Sequence, residues 1–580
     1  MRLADDKPGA LSAPRWACAA AAFCAVALPT LVPLKIPPAP TALIQALTVA
    51  FWGMLLAAAA PRGAGRGALW LVPVFALLAL GVLASWPFGA LPSSVALDAL
   101  ALVSAAALVA WAGAALAEGG RGAQVFEAVA WAVVVAGVLN TAVGAVQVYF
   151  TERTGSFWLA VPGNPGIAYG NIRQPNQLAV LLNWGIACSA WLHQRGRLAR
   201  GAAWVVMVVL ALGVELSGSR AGLVELLVLG AWGAFDRRLR TPVRQGLVAS
   251  LAVYALAFGG TYLLSSAGSD AAGAAARLEH NEFVNDSPNS RRNLWRNVGT
   301  LVQRQPWTGV GYGELNLAIS MTPDEHRPSA FFDHAHNLPL QLAAELGVPL
   351  AALICAGLLA AAWAATRRAR ASDTDEALTA TGALALVAVV AVASMVEYPL
   401  WYAYFLLPTA FVWGLALGRP GGTETAGPRS GRLVGVLLLV GGAAAAMDYM
   451  RVRSIYTPIR PGTTIEQHVA GGLHSVFFSN MSGYAVATLN VETDKRRAMD
   501  LAVHALLDWK LMESLAAWLA AHDQVDKARF VAARLREFKR PETADFFAVC
   551  ATPQAAQHYQ CQPPERTYDW RDFQRPGTAP

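Results

Sequence analysis

The amino-acid sequence predicts an all-α membrane protein that crosses the bilayer many times. Only 14% of its 580 residues are charged, whereas a typical soluble domain has about 25%. Hydrophobic residues make up 55% of the chain and gather in long runs, and a helix of about 20 apolar residues is enough to cross the hydrocarbon core. Basic residues vary in density between those runs, and this variation predicts an orientation.

Thirteen apolar runs fit such helices, so we expect about thirteen transmembrane helices. The runs that begin at Leu178, Ala202 and Ala221 are short, and we expect these helices to be tilted, broken or partly re-entrant, which is tolerated only where they are buried in protein. The thirteen runs are Ala17–Val32, Thr41–Ala60, Ala68–Ala84, Val95–Ala117, Val125–Tyr149, Leu178–Leu192, Ala202–Leu216, Ala221–Ala234, Leu247–Leu264, Leu338–Ala365, Ala377–Ala393, Trp401–Leu417 and Leu433–Met447.

The first run has features of a cleaved signal peptide. Arg2, Lys7 and Arg15 form a basic lead, and the apolar stretch after them is short. A second run follows directly after a proline-rich segment. We therefore interpret the first run as a retained membrane anchor.

The basic residues orient the predicted helices. With a cytoplasmic N-terminus and alternating runs, nineteen Lys and Arg residues fall in the N-terminal segment and the inner connections. The short outer connections contain only Lys35, Arg153, Arg173 and Arg220. Because cytoplasmic loops carry the excess of Lys and Arg, we expect a cytoplasmic N-terminus and an external C-terminus. The net charge of +7 then comes mainly from loop arginines. No basic module interleaved with aromatic residues indicates nucleic-acid binding.

Two long polar segments lie on the outer side in this topology. We divide the chain into a membrane domain over residues 1–450, with an outer loop at about 265–336, and an outer tail over residues 451–580. Two amphipathic helices in the tail, Ala498–Leu519 and Gln524–Lys539, resemble one tetratricopeptide-like hairpin. A lone hairpin cannot bury its apolar face, so we expect it to pack on the membrane domain as a structural cap or as a docking surface for another protein.

Two of the six cysteines lie in the tail. Cys550 and Cys561 are on the side where a disulfide persists, although the sequence also allows two free thiols. The other four fall inside apolar runs and are interpreted as small apolar residues. No cysteine spacing indicates a metal site.

Two histidines, His334 and His336, stand where the outer loop meets an apolar run. Ionisable residues at a membrane edge are candidates for function. Their spacing does not place them on one helix face, and no triad of Asp, Glu and His residues lies nearby, so we expect no metal. Asn337 follows, and a helix cap with an interfacial histidine is the alternative interpretation.

Arginines on the same side are suited to an anionic ligand, because a guanidinium binds phosphate in a bidentate manner. Arg220 follows a Ser-Gly-Ser turn, and it could instead extend towards lipid headgroups. Arg291, Arg292 and Arg296 begin an amphipathic helix that runs to about Val302 and leads into a glycine-rich turn. A solvated basic face is the alternative for this group.

Amide, carboxylate and aromatic side chains complete the outer set. Gln174 and Asn176 lie in a Gln-Pro-Asn-Gln segment, which could be an ordinary polar helix cap. Glu397, Tyr398 and Tyr402 lie in a short outer connection. Aromatic residues are expected at an interface, whereas Glu397 is unexpected there and could balance an arginine or orient a histidine.

Taken in order, these segments resemble the bacterial O-oligosaccharyltransferases of the PglL type, in the O-antigen ligase and polymerase superfamily. The resemblance extends from about residue 160 to 417. The Gln-Pro-Asn segment, the Glu-Tyr-Pro-Leu-Trp-Tyr segment and the tail favour the protein-glycosylating branch. The matching residues are Gln174–Ala179, Ser219–Arg220, Arg291 with Trp295, Gln305–Gly311, His334–Leu338 and Glu397–Tyr402.

The resemblance implies a GT-C-like helical fold in the bacterial inner membrane, with a periplasmic loop and tail. It implies metal-independent transfer of a glycan from undecaprenyl pyrophosphate to a Ser or Thr of a periplasmic protein, pilin-like or other. No cofactor is implied, and membrane lipids are the remaining partners.

The same resemblance gives expected roles. It implies that His336 is the essential histidine and that Arg220 and Arg291 are functional arginines. We assign His336 as general base, with donation to the phosphate as imidazolium as the alternative, and the two arginines to stabilisation of the leaving group. Arg292 and Arg296 are in reserve. The expected substrate-binding residues are Gln174, Asn176, His334, Glu397, Tyr398 and Tyr402.

Three other functions stay open. An O-antigen ligase would transfer the same glycan to lipid A–core, and a repeat-unit polymerase would transfer it to a second lipid-linked glycan. A transporter of lipid-linked glycan would show inverted repeats with broken helices. No such repeat is visible, and the polar residues gather on one side of the membrane.

Overall fold

The protein is helical throughout the part of the chain that its structure describes, in agreement with the predicted fold class. The structure is a computed structural model. It describes residues 15–86, 89–267, 272–273, 275–276, 290–324, 327–371, 375–419, 428–457, 463–489, 491 and 494–577. Arg2 and Lys7 of the basic lead, and most of residues 268–289 of the outer loop, lie outside the described residues.

Each of the thirteen apolar runs is helical. Within the described residues, seven helices are long and apolar enough to cross a membrane by length and composition, namely α2, α4, α5, α9, α13, α14 and α16. The chain is therefore a multi-pass membrane protein, and the number thirteen stays a prediction. The helices of these runs are α1 Arg15–Leu31, α2 Ala42–Ala59, α3 Val72–Ser85, α4 Ser93–Glu118, α5 Gly122–Tyr149, α6 Pro175–Gln194, α7 Arg200–Leu216, α8 Arg220–Phe235, α9 Thr241–Ser266, α12 Leu338–Leu346, α13 Val348–Ala369, α14 Asp375–Ala393, α15 Ala403–Leu417 and α16 Pro428–Tyr456.

The short run at Leu178 forms the centre of the membrane bundle. Its helix, α6, is buried from Pro175 to His193 and packs against α5, α7, α8 and α14. A helix enclosed by other helices on all sides does not need the length of one that faces lipid. This position explains why the run is short, and it holds the N-terminus of α6 against neighbouring helices.

The outer loop and the tail contain further helices. In the loop these are α10 Arg291–Arg304 and α11 Leu315–Met321, and α10 agrees with the predicted amphipathic helix. The tail helices are α17 Ile465–Leu473, α18 Ser479–Thr488, α19 Lys495–Ala502, α20 Trp509–Ala521, α21 Val525–Glu537 and the single turn α22 Ala544–Phe547. Cys550 and Cys561 form a disulfide.

One predicted tail helix is wrong. The chain leaves the helical conformation between α19 and α20, so Ala498–Leu519 is not continuous. Asp508 explains the restart, because its carboxylate accepts a hydrogen bond from the backbone N–H of Leu511 at 3.0 Å and caps α20. The second prediction, Gln524–Lys539, corresponds to α21.

The tail packs on the membrane domain mainly through the outer loop, with which it shares a hydrophobic core. Among the described tail helices, α17 and α18 pack against the membrane helix α16, whereas α19, α20 and α21 bury their apolar faces against α10 and α11. The buried members of this loop–tail core include Leu294, Val298, Leu301, Leu315, Leu317, Met321, Met499, Val503, Leu507, Leu511, Leu515, Phe530, Leu535 and Phe538.

The run from Leu338 to Ala365 is not one helix, which corrects a second prediction. It breaks at Gly347, whose φ of 81° lies in the left-handed region that favours glycine. The glycine-rich turn of the outer loop is docked at this break. The Val310 N–H donates to the Ala344 carbonyl at 2.8 Å, and the Val348 N–H donates to the Pro306 carbonyl at 2.8 Å. These two hydrogen bonds explain the position of the glycine-rich turn, so no bound ligand is needed to explain it.

Gly309 makes this docking possible, and its substitution tests the arrangement. Its φ is 65°, and a Cβ atom there would collide with the backbone of Glu345. We expect Gly309→Ala to destabilise the protein by about 2 kcal/mol or more, because a left-handed non-glycine residue alone costs about 1–3 kcal/mol. Thermal unfolding of the detergent-purified protein measures the change.

Gly299→Ala is the matched control. Gly299 lies inside α10, and no atom from outside its own helical turn lies within 4 Å of the position that a Cβ atom would take. Alanine in a helix interior is favoured over glycine by about 1 kcal/mol. Equal melting temperatures for the two variants would contradict the docking role of the turn.

Candidate active site

The candidate site is organised around one buried carboxylate, that of Glu397. This residue lies between α14 and α15, and its side chain is only 5% exposed. One oxygen, Oε2, lies 3.0 Å from His336 Nδ1. The other, Oε1, accepts hydrogen bonds from Asn176 Nδ2 at 2.6 Å and from the Arg291 guanidinium. Four segments that are far apart in sequence therefore meet at a single side chain.

The network continues from Asn176 to the start of α8. The Ser219 hydroxyl donates to Asn176 Oδ1 at 2.7 Å and accepts from the Gly222 N–H at 3.0 Å. Asn176 and Ser219 are both buried. Asn176 is thus fixed at both ends of its amide, with its nitrogen on Glu397 and its oxygen on Ser219. The geometry favours an orienting role for Asn176 over the predicted contact with substrate.

Four helices begin at this network, each with a capping side chain. Gln174, Ser219, Ser290 and Asn337 accept hydrogen bonds from backbone N–H groups in the first turns of α6, α8, α10 and α12. The N-terminal end of a helix carries a partial positive charge of about half an elementary charge. The convergence of four such ends makes the region favourable for an anion.

The backbone around His336 is held in an unusual conformation. Its φ is 51°, in the left-handed region that non-glycine residues rarely adopt. The preceding residue, Ala335, is fixed through both of its backbone polar groups. Its N–H donates to Gln341 Oε1 at 2.6 Å, and its carbonyl accepts from Trp295 Nε1 at 2.9 Å. Trp295 lies one helical turn after Arg291, so α10 positions both the arginine and the histidine. This strain is typical of a functional site.

A second set of bonds ties the histidine segment to the glutamate segment. The Asn337 amide donates to the Met395 carbonyl at 3.0 Å, and the Leu338 N–H donates to the Ser394 carbonyl at 2.8 Å. The contact between His336 and Glu397 is therefore supported by the backbone on both sides, and it does not depend on side-chain placement alone.

The environment of Glu397 keeps its carboxyl ionised at neutral pH. Burial acts to raise its pKa, but the hydrogen bond from His336 and the charge of Arg291 outweigh burial and lower the pKa below the ordinary value. An ionised carboxylate can only accept hydrogen bonds. Nδ1 of His336 must then carry a proton, and in the neutral imidazole Nε2 is left as the acceptor.

Aromatic rings extend from the histidines. His334 stacks on Tyr398 with ring centroids 4.2 Å apart, and Tyr398 also packs edge-on against His336 at 4.7 Å. Tyr402 continues the stack at 5.8 Å from Tyr398, and Tyr404 follows at 5.2 Å from Tyr402. Burial raises the pKa of the Tyr398 and Tyr402 hydroxyls, so both stay neutral donors at physiological pH.

The remaining predicted residues lie on or next to the helices that begin at this cluster. Arg220 is exposed at the first residue of α8, next to Ser219. Arg292 and Arg296 are exposed on α10. Gln174 uses its side-chain oxygen to cap α6, with the Gln177 N–H at 2.6 Å. The geometry thus brings together only some of the expected set.

An apolar cavity of about 190 Å³ lies next to the cluster. It is lined by residues of α3, α4, α13 and α15, and it reaches the segments that follow the two key side chains, at Leu338, Leu400 and Trp401. An apolar chain bound there would end beside a region that is favourable for an anion.

Sequence comparisons support one family. A family model described as O-antigen ligase matches residues 205–355, and one described as protein glycosylation ligase matches residues 168–193. A third, described as the C-terminal part of a virulence factor membrane-bound polymerase, matches residues 382–547. These matches confirm the resemblance of the chain to the PglL-type O-oligosaccharyltransferases of the O-antigen ligase superfamily.

A similar protein of known type supports the same resemblance. A general O-oligosaccharyltransferase from Acinetobacter baylyi is 26% identical over 285 residues, which is 47% of this chain and 48% of that protein. The chain thus matches about half the length of this relative. Each family-matched segment contributes to the cluster: Asn176 in the protein glycosylation ligase segment, Arg291 and His336 in the O-antigen ligase segment, and Glu397 in the polymerase segment.

Some residues of the cluster had no sequence-based prediction of their role. Trp295 and Gln341 hold the peptide before His336, and Ser219 completes the network. Trp295 was visible at one helical turn from Arg291, whereas nothing in the sequence pairs Gln341 with Ala335. Among the described residues, no group of three or more His, Cys, Asp or Glu side chains is arranged to hold a metal ion.

Replacement of Glu397 by glutamine tests the electrostatic account. At neutral pH we expect Glu397→Gln to lower the melting temperature, because Arg291 loses its buried counter-charge. The folded pKa of Glu397 is depressed, so its stabilising contribution is present above the ordinary carboxyl pKa of about 4.3 and is lost as pH falls through the folded value. The difference between wild type and variant should therefore narrow below about pH 4.3.

Glu152→Gln is the control for this titration. Glu152 and Arg153 form an exposed pair, each 71% exposed, and such pairs contribute little to stability. A Glu397→Gln variant with the melting temperature of wild type throughout this pH range would show that the carboxylate is not the organising group.

Proposed function

We propose that the protein is an oligosaccharyltransferase that transfers a glycan en bloc from undecaprenyl pyrophosphate to Ser or Thr hydroxyls of periplasmic proteins. The observation that carries the proposal is the shared carboxylate of Glu397, which joins His336 and Arg291 where four helices begin. The family matches and the general O-oligosaccharyltransferase among the relatives support the same reaction class.

In the proposed reaction the acceptor hydroxyl attacks the anomeric carbon of the donor sugar. The new bond joins that carbon to the hydroxyl oxygen, while its bond to the pyrophosphate oxygen breaks and both electrons leave with the pyrophosphate. Nε2 of His336 takes the hydroxyl proton as general base. Glu397 keeps Nδ1 protonated and stabilises the imidazolium that forms. A single displacement of this kind inverts the anomeric centre.

The leaving pyrophosphate needs positive charge that is already in place. Glu397 occupies one part of the Arg291 guanidinium, and an arginine has five N–H donors, so donors remain for a phosphate. The helix N-termini add fixed partial charge. Arg220, at the start of α8, is the second proposed phosphate ligand, and Arg292 and Arg296 could contact the outer phosphate or sugar. His334, Tyr398 and Tyr402 offer stacking surfaces to a sugar ring.

A lipid-linked donor fits the apolar cavity beside the cluster. Its lining by Leu338, Leu400 and Trp401 places apolar surface next to the anion-favouring region, which suits a molecule with a polyprenyl chain on one side and a pyrophosphate on the other. The cavity would accept the part of the chain nearest the phosphate.

Sidedness is part of the proposal. We place the N-terminus in the cytoplasm, and the candidate site and the tail in the periplasm of a bacterial inner membrane. The arginine distribution supports this orientation. The Cys550–Cys561 disulfide supports an oxidising compartment for the tail. We retain the division into a membrane domain over residues 1–450 and a tail over residues 451–580, with about thirteen crossings.

Substitutions in the cluster test the roles directly. We expect His336→Ala to lower the kcat for transfer by about 10²- to 10⁴-fold, because it removes the general base. Arg291→Ala and Arg220→Ala should lower kcat by about 10²- to 10³-fold through lost stabilisation of the leaving group. The assay uses purified enzyme in liposomes with a lipid-linked glycan and a periplasmic acceptor protein.

His522→Ala serves as the control, since His522 is an exposed tail histidine, and it should retain wild-type activity. Full activity of the His336 variant at equal enzyme concentration would remove His336 from catalysis.

Acceptor choice separates this proposal from the function favoured by the O-antigen ligase match, which is transfer to lipid A–core. The same liposomes would be offered a pilin-like protein, lipid A–core or a second lipid-linked glycan. We expect glycan on the protein. Product on lipid A–core alone would identify an O-antigen ligase, and lengthened lipid-linked glycan alone would identify a polymerase.

The proposed mechanism uses protein groups for every charge, so transfer should not depend on a divalent metal. We expect activity of the purified enzyme to be unchanged after treatment with excess EDTA. Loss of activity that added Mg²⁺ or Mn²⁺ restores would contradict the metal-independent mechanism.

A further inference from the structure

The histidine loop, residues 327–337, is held from the side opposite Glu397 by the C-terminal tail. Asn316 of α11 connects the two. Its Oδ1 accepts a hydrogen bond from the backbone N–H of Leu507 in the tail at 2.7 Å, and its Nδ2 donates to the Phe332 carbonyl at 2.9 Å. Asn316 is 5% exposed, so its amide is largely shielded from water. One buried amide therefore joins the tail backbone to the histidine loop backbone.

Phe332 carries this connection to the proposed base. Its ring packs edge-on against the imidazole of His336, with centroids 5.7 Å apart. Tyr398 also makes a perpendicular ring contact with the same imidazole, with centroids 4.7 Å apart. The imidazole thus contacts one ring of the histidine loop and one ring of the segment that carries Glu397. Displacement of Phe332 would change the orientation of His336 Nε2.

A buried ion pair joins the tail to α11 close to Asn316. His504 Nδ1 lies 2.6 Å from Glu314 Oε1, and both side chains are almost completely buried. His504 Nε2 lies 3.0 Å from the Gln574 carbonyl. Because both ring nitrogens face oxygen acceptors, the imidazole is doubly protonated and charged. Burial acts to lower the pKa of His504, but Glu314, the Gln574 carbonyl and Asp500 outweigh it and raise that pKa.

The far end of the histidine loop is held by the tail as well. Arg327 donates to Glu537 Oε2 at 2.7 Å and to the Ile319 carbonyl at 2.8 Å, and its guanidinium lies over the Phe538 ring. Phe331 stacks on Phe538 with centroids 4.1 Å apart. Arg327 is 6% exposed. An arginine buried this deeply requires its partner, because a lone buried charge is strongly unfavourable.

We propose that the C-terminal tail is a structural part of the active site, and that Asn316 is the positioning residue through which it fixes His336 against Glu397. The proposal rests on the proposed function for the role of His336. It assigns to the tail a task other than docking of a partner protein. It also gives a reason why the loop–tail core excludes water around α11, since the bonds of Asn316 have their full strength only when buried.

Asn316→Asp separates positioning from simple stability. Aspartate keeps an oxygen for the Leu507 N–H, but it places a carboxylate oxygen against the Phe332 carbonyl in place of a donor. We expect kcat to fall about 10- to 100-fold, as for other small displacements of a reacting group, with KM for the lipid-linked donor within twofold of wild type. The assay uses the full-length enzyme in liposomes.

Tyr568→Phe is the matched control. It removes a hydrogen bond within the tail, from the Tyr568 hydroxyl to Asp526 Oδ2 at 3.0 Å, and it leaves Asn316 untouched. We expect wild-type kinetics for this variant. The melting temperatures of both variants are measured in the same detergent. The kinetics are then compared at a temperature below the lower of the two melting temperatures.

A second readout does not require activity. Diethyl pyrocarbonate modifies unprotonated imidazole nitrogens, and its rate at His336 is measured by peptide mass spectrometry against the exposed His522 as internal standard. We expect Asn316→Asp to raise the relative rate at His336 at least threefold, while Tyr568→Phe leaves it unchanged. If the wild-type enzyme transfers no glycan, the proposed function fails, and this rate still decides whether the tail positions His336.

Two results would overturn the inference. The first is wild-type kcat and wild-type His336 reactivity in Asn316→Asp. The second is a loss of activity that follows the fraction of unfolded enzyme, with unchanged His336 reactivity in the folded fraction, because that pattern requires only a stabilising role.

Discussion

The buried carboxylate of Glu397 is the constraint on which the arrangement of this site depends. A carboxylate that is 5% exposed must be paired and hydrogen-bonded to stay ionised. Its partners come from the start of α6, the start of α10 and His336, two residues before α12. Each of these partners has a fixed helix end behind it. Satisfying one costly charge therefore also fixes the relative position of three helices, and it aligns an imidazole and a guanidinium in the process.

The same arrangement explains how the site can favour an anion although it contains a carboxylate. The negative charge of Glu397 is shared between Arg291, Asn176 and the Nδ1–H of His336. The groups that Glu397 does not engage are the remaining guanidinium N–H donors of Arg291, the N-terminal ends of four helices and Nε2 of His336. A pyrophosphate would meet fixed dipoles and donors, and a hydroxyl would meet a proton acceptor. The apolar cavity beside the cluster gives the lipid part of such a donor a separate environment.

Much of the fold followed from local sequence pattern, because apolar runs and helix caps are local properties. All thirteen runs are helical, and α10 begins where Ser290 and Arg291 predicted it. The incorrect predictions concern segments whose conformation depends on contacts between residues that are far apart in the sequence. The break at Gly347 depends on the docked turn around Trp307 and Gly309, which apolar composition does not reveal. The break before α20 was visible in principle, since Asp508 is a good cap, but the surrounding periodicity concealed it.

The site was predictable in its members more than in its connections. Sequence pattern and resemblance indicated His336, Arg291 and Glu397 separately, yet Glu397 is 61 residues from His336 and no spacing rule joins them. Glu397 contacts an arginine and a histidine, the two kinds of partner that its position in the sequence suggested, and Asn176 contacts Glu397 and Ser219. The tail is the largest departure from expectation. Its helices complete the core of the outer loop through Asn316 and Arg327, which only the folded chain brings together.

If Glu397 acts through His336, the effects of substituting the two residues must be coupled. A double-mutant cycle measures this coupling. His336→Ala, Glu397→Gln and the double variant are compared with wild type by kcat/KM for glycan transfer, at a temperature where all four are folded. Groups that act as a unit show strongly non-additive effects. We expect the kcat/KM of the double variant to be only slightly lower than that of His336→Ala alone. Losses that multiply across the two substitutions would show that the two residues act independently, and would contradict it.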